Sequence, residues 1–81
     1  MTKLQREAAE ILERAAERMA QGYHIYVWAA ISGTGRHDVN DPSICPVCRA
    51  YTATYEIAEE SGEAGILGLL MAAAALRAGD L

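Results

Sequence analysis

The chain has 81 residues, of which 52% are hydrophobic and 22% charged, a composition that makes one folded domain and excludes a disordered segment. A domain of this length sits near the size at which a single core is marginal without a metal, a disulfide or a partner subunit. The net charge of −4 falls on residues 41–81, and no clustered stripe of Lys and Arg is present, so nucleic acid is not the expected partner.

Residues 1–22 read as an amphipathic helix. Leu4, Ala8, Ile11, Leu12, Ala15 and Met19 share one stripe at spacings of three and four. Lys3–Glu7 and Glu10–Arg14 place opposite charges four apart on the other face. Thr2 is the expected N-cap, and Gly22 supplies a left-handed C-cap with Tyr23 folding back on the last turn. Charges begin at Lys3 and no apolar h-region follows, so the segment does not read as a signal peptide and the expected location is cytoplasmic. A structural disulfide would tend to be reduced there.

Residues 23–31, YHIYVWAAI, are apolar apart from His24 and rich in aromatic and β-branched side chains. They suit a short buried extended segment, with a buried helix as the rival because a continuous apolar run carries no period. As a strand the segment would need a partner, either residues 52–55 or a second subunit. Residues 32–44, SGTGRHDVNDPSI, are a polar loop, long for a compact domain and therefore expected to be tied down. SGTG within it has glycines but no following Lys, so it reads as a turn and not a phosphate loop.

Residues 45–62 open with Cys-Pro-Val-Cys and continue as a helix. Pro46 suits the first helical position and leaves Cys45 near the N-cap. Ala50, Ala53, Thr54, Ile57 and Ala58 form its apolar stripe. Residues 63–79 form a last helix that is apolar all the way round. From residue 64 to 76 it is too short for the roughly 20 residues a bilayer requires. A helix without a polar face must be surrounded by protein, and so short a chain has little material to surround it. A homodimer through residues 64–76 is the expected arrangement.

Cys45 and Cys48 are the two cysteines of the chain. A C-x-x-C turn directs two thiolates toward one ion, and Pro46 stiffens that turn by fixing φ. A tetrahedral zinc needs two more donors. His37, on the polar loop, is the first candidate and His24 the second, with Asp38 and Asp41 as oxygen alternatives. A structural zinc would also explain what holds the loop, because such an ion contributes folding energy outright. The same pair supports an alternative, a thiol–disulfide redox protein in which Cys45 is activated at a helix N-terminus and Cys48 resolves. The chain shows no βαβ pattern of a thioredoxin-like domain. It also has no Ser/His/Asp set with mechanistic spacing.

The sequence thus predicts a mainly α fold: about three helices, one short extended segment and a zinc-tethered loop. The structural alternative is α+β with a short hairpin or an intersubunit strand pair. The expected function is that of a small zinc-stabilised, non-enzymatic binding or regulatory module acting on another protein.

Overall fold

A computed structural model describes residues 2–22, 26–37, 39–61 and 65–81, with the side chains of 58–61 left aside. Tyr23, His24 and Asp38, all named above, lie outside the described residues. Four helices follow one another along the chain: α1 (Lys3–Ala20), α2 (Val27–Ser32), α3 (Pro46–Ser61) and α4 (Gly65–Ala78). The fold is mainly helical, and no strand occurs among the described residues.

α1 begins as its sequence predicts. The Thr2 hydroxyl accepts from Gln5 N at 3.1 Å and Gln5 Oε1 accepts from Thr2 N at 3.0 Å, so two orphan donors are satisfied reciprocally. Gln5 also donates to the Leu81 carbonyl at 2.8 Å, which ties the last residue to the first turn. At the other end Gly22 takes φ 82°, the left-handed conformation that ends a helix without a Cβ penalty. The predicted stripe is the buried one, with Ala8, Ile11, Leu12 and Ala15 fully inside.

Residues 27–32 correct the expectation of a buried extended segment. They form a helix, with Ala30 N bonded to Tyr26 O and Gly33 N to Ala29 O, both at 3.0 Å. The physical reason is backbone satisfaction. A helix closes its hydrogen bonds within the segment, whereas a strand here has no neighbouring strand among the described residues to pair with. Ala29 and Ala30 favour the helical choice. Of the aromatic residues that suggested a buried strand, the two described ones are not in the core: Trp28 is only partly covered and Tyr26 is 71% exposed.

The core is built largely of alanine. Ala8, Ala9, Ala15 and Ala16 of α1, Ala50 and Ala53 of α3, and Ala72 and Ala73 of α4 are all buried. Small side chains on facing helices let backbones approach closely, and Leu12, Ile31, Val47, Leu69 and Leu76 fill the remaining volume. α1 makes its most extensive contact with α4. Arg77 of α4 grips Glu13 of α1 through two bonds, Nε to Oε2 at 3.0 Å and Nη2 to Oε1 at 2.7 Å. No helix among the described residues is long and apolar enough to cross a membrane.

Among the described residues, α4, apolar from Gly65 to Leu76, is covered on one side. Gly68, Leu69, Ala72, Ala73 and Leu76 face inward, while Ile66, Leu67 and Leu70 remain exposed.

Candidate metal centre

Three elements converge at the start of α3. Cys45 is its N-cap, since the Cys45 carbonyl accepts the first helical bond from Arg49 N at 2.9 Å. Pro46 fills the first helical position, where its missing N–H costs nothing. Cys48 lies three residues on, so the first turn swings its sulfur back toward that of Cys45. Both are reduced and buried, at 2% and 7% exposure.

The loop is guided onto this turn from both ends. At its start, Thr34 Oγ1 donates to Ile31 O at 2.9 Å. Gly35 then passes through a tight gap: a Cβ there would lie 2.7 Å from Ile11 Cδ1 and 2.8 Å from Val47 Cγ2, so those side chains would have to shift. Two residues later, His37 arrives over α3 with Nε2 3.1 Å from Cys48 Sγ. At the loop's end, Asp41 Oδ1 accepts from Ser43 N at 2.9 Å and from Ser43 Oγ at 2.7 Å. The Asp41 carbonyl accepts from Cys45 N at 2.8 Å, which delivers Cys45 to the helix.

Cys48 is the point to which the loop returns. Its thiol donates to Val39 O at 3.3 Å and lies 3.7 Å from Asn40 Oδ1, in addition to the contact with His37. Trp28 of α2 holds the imidazole from the other side, its ring edge-on to His37 with centroids 5.4 Å apart. Tyr51 packs edge-on against Trp28, and Tyr55 against Tyr51, so an aromatic row runs from the loop along α3. An open groove of about 390 Å³ lies beside Cys48, walled by Trp28, Tyr51, Asn40 and Pro42.

His37, Cys45 and Cys48 form a group whose donor atoms all lie within 4.8 Å of one another and could hold a metal ion. In a tetrahedral zinc site, bond lengths of about 2.3 Å to sulfur and 2.0 Å to nitrogen place donors roughly 3.5–3.8 Å apart. The observed spacing brackets that value, so the three side chains fit one ion with small adjustments. Two thiolates and an imidazole are a soft donor set, suited to zinc or copper(I) and unsuited to magnesium or calcium.

The thiols are electrostatically unequal. Burial pushes the Cys45 thiol up, but hydrogen bonds from Cys48 and from the backbone N–H groups of Val39 and Val47 outweigh it and hold Cys45 below its ordinary range. Cys48 is pushed up by burial and by the neighbouring Cys45. A bound cation would favour the thiolate form of both.

Of the predicted ligands, the structure brings together His37, Cys45 and Cys48. His24 and Asp38 lie outside the described residues. Asp41 stands outside the three-donor group, its carboxylate engaged by Ser43 and held below the usual range by those bonds. Sequence reasoning missed Gly35, Trp28 and Asn40, which position the centre through contacts distant in sequence. No protein-family model matches the chain, and no curated protein and no solved structure shows significant similarity to it.

Proposed function

We propose that this chain is a small zinc-stabilised, non-enzymatic module that acts by binding another protein. The observation that carries the reading is the meeting of His37, Cys45 and Cys48 within 4.8 Å, at the place where a long polar loop joins a helix. His24 is the proposed fourth donor. The ion would cross-link the loop to the start of α3 and so fix the surface around it. That surface carries Tyr26, Val39, Ile44 and Tyr55 as exposed large apolar side chains, the residue types that serve recognition of other macromolecules.

Elemental analysis of protein purified without added chelator should find one zinc per chain. Cys48→Ser should abolish that zinc, and His24→Ala should weaken its retention. Two titratable free thiols in a metal-free, fully folded wild-type protein would overturn the proposal.

A second reading, thiol–disulfide exchange with Cys45 as nucleophile, draws on the lowered Cys45 thiol at the start of a helix. Burial of both sulfurs weighs against it, because exchange requires an incoming disulfide to reach the attacking thiolate. Cys45 reacting with a bulky disulfide reagent as fast as a free thiol would favour this second reading.

A further inference from the structure

The groove beside Cys48 has features that holding a metal does not require. Trp28, Tyr51, Asn40, Pro42 and Thr52 line it with Cys48. Trp28 is 39% exposed, and Tyr55, which continues the aromatic row, is 56% exposed. The Tyr51 and Tyr55 hydroxyls lie 2.9 Å apart and share one hydrogen bond. Two hydroxyls carry two protons, so one is left to donate to an acceptor beyond the pair. Trp28 adds an indole N–H and Asn40 an amide NH2, both donors. Flat apolar rings are thus interleaved with N–H and O–H groups along one short track. Among the described residues no cationic side chain lines the groove. Asp41, which is exposed, stands between the two lining residues Asn40 and Pro42.

On the reading of this chain as a protein-binding module, we infer that the groove docks a proline-rich segment of the partner in the polyproline II conformation, flanked by a basic residue. The other common ways of gripping a peptide lack what they need here. Strand addition requires a sheet edge, and no strand occurs among the described residues. An amphipathic helix requires a long apolar trough. This groove holds about 390 Å³, near the lower end of small-molecule sites at about 300 Å³. A phosphorylated or acidic motif requires clustered arginines, and the groove presents an aspartate instead. A polyproline II segment requires aromatic walls for its rings and donors for its carbonyls, which have no internal partners. The length agrees as well. Centroid separations of 4.9 Å from Trp28 to Tyr51 and 5.0 Å from Tyr51 to Tyr55 make the row at most about 10 Å long, one polyproline II turn of three residues at roughly 3.1 Å each. Charge selects the flank: Asp41 at the groove, on a half-chain that carries the whole net charge of −4, favours an arginine or lysine beside the prolines.

Trp28 is the single tryptophan, so its emission reads occupancy of the groove, with calorimetry as a second measure. The full-length protein as purified, titrated with the capped peptide Arg-Arg-Pro-Pro-Pro-Pro-Pro-Pro, should bind saturably with a dissociation constant below about 1 mM. The same peptide with glycine and serine in place of the prolines should not bind. Equal binding of the two would overturn the inference, because charge alone would then suffice, and no binding of the first at about 1 mM would overturn it too. Tyr51→Ala should weaken binding by at least about 10-fold, as expected for a central aromatic anchor, with helical circular dichroism unchanged. Should that variant fail to fold, Asp41→Asn keeps an oxygen for the bonds from Ser43. It should weaken the arginine-bearing peptide about 2–5-fold and leave an uncharged proline run unaffected. A folded variant at either position that binds as the wild type does would place the peptide elsewhere and sink the assignment. Zinc-loaded protein that ignores the peptide would end this inference and leave the zinc reading intact. Zinc-free protein that binds the peptide would do the reverse.

Discussion

Cys48 shows how much can depend on one sulfur. It touches His37, Val39 and Asn40, so the loop is held to α3 at one atom, with or without an ion bridging it to Cys45. Gly35 is the other residue on which the approach of the loop depends. Its hypothetical Cβ meets the flexible end of Ile11 but also Val47, a β-branched side chain with little rotamer freedom on a helix. Gly35→Ala should therefore destabilise the fold by about 1–3 kcal/mol, the usual cost of overpacking. Because the loop would be pushed off the helix, zinc retention should weaken as well. Chemical denaturation and zinc titration of the same variant check both outcomes. A variant as stable as the wild type would mean that the loop relaxes freely at this point.

At the level of the helices, the Glu13–Arg77 pair is the most specific tie between α1 and α4. The hydrogen bond from Arg77 holds the Glu13 carboxyl below the usual range. A depressed folded-state pKa means stability that is present above the unfolded value and lost as pH falls through the folded one. The melting temperature of wild type minus that of Glu13→Gln should thus be positive at neutral pH and shrink toward zero below about pH 4. The effect should be small, since both side chains are more than a third exposed and solvent screens them. An undiminished difference at low pH would show that the contribution is not ionic. α1, α3 and α4 were readable in the sequence because stripes, caps and glycines are local signals. α2 was not, because a run without polar residues has no period, and the choice between strand and helix depended on whether a partner strand existed. The one-sided burial of α4 was hidden for the same reason: an all-apolar helix does not announce which face is inside. At the candidate centre, Cys45, Cys48 and His37 could be read from spacing and loop composition. Trp28, Asn40 and Gly35 could not, since their places follow from how α2 and the loop cross α3.

For the whole molecule, an ion at the proposed centre would share with the core the work of holding the fold. An ion bound to the native state alone at a thousand times its dissociation constant adds about 4 kcal/mol. For a domain of this size each 1 kcal/mol is worth roughly 4–8 °C, so a strong chelator should lower the melting temperature by on the order of 20 °C. Trp28, the single tryptophan, reports the event directly because His37 lies against its ring. Its emission should shift to the red as chelation frees the loop, and the shift should be missing in His37→Ala. Unchanged emission and melting on chelation would show that the loop needs no ion. The extensive packing of α1 on α4 also has a meaning for synthesis on the ribosome. Within this domain α1 is made before its principal partner α4, so part of its alanine face stays uncovered until α4 has cleared the exit tunnel. The domain would then assemble late and in one step, and a chain stalled before α4 would be a substrate for chaperones rather than a half-built fold.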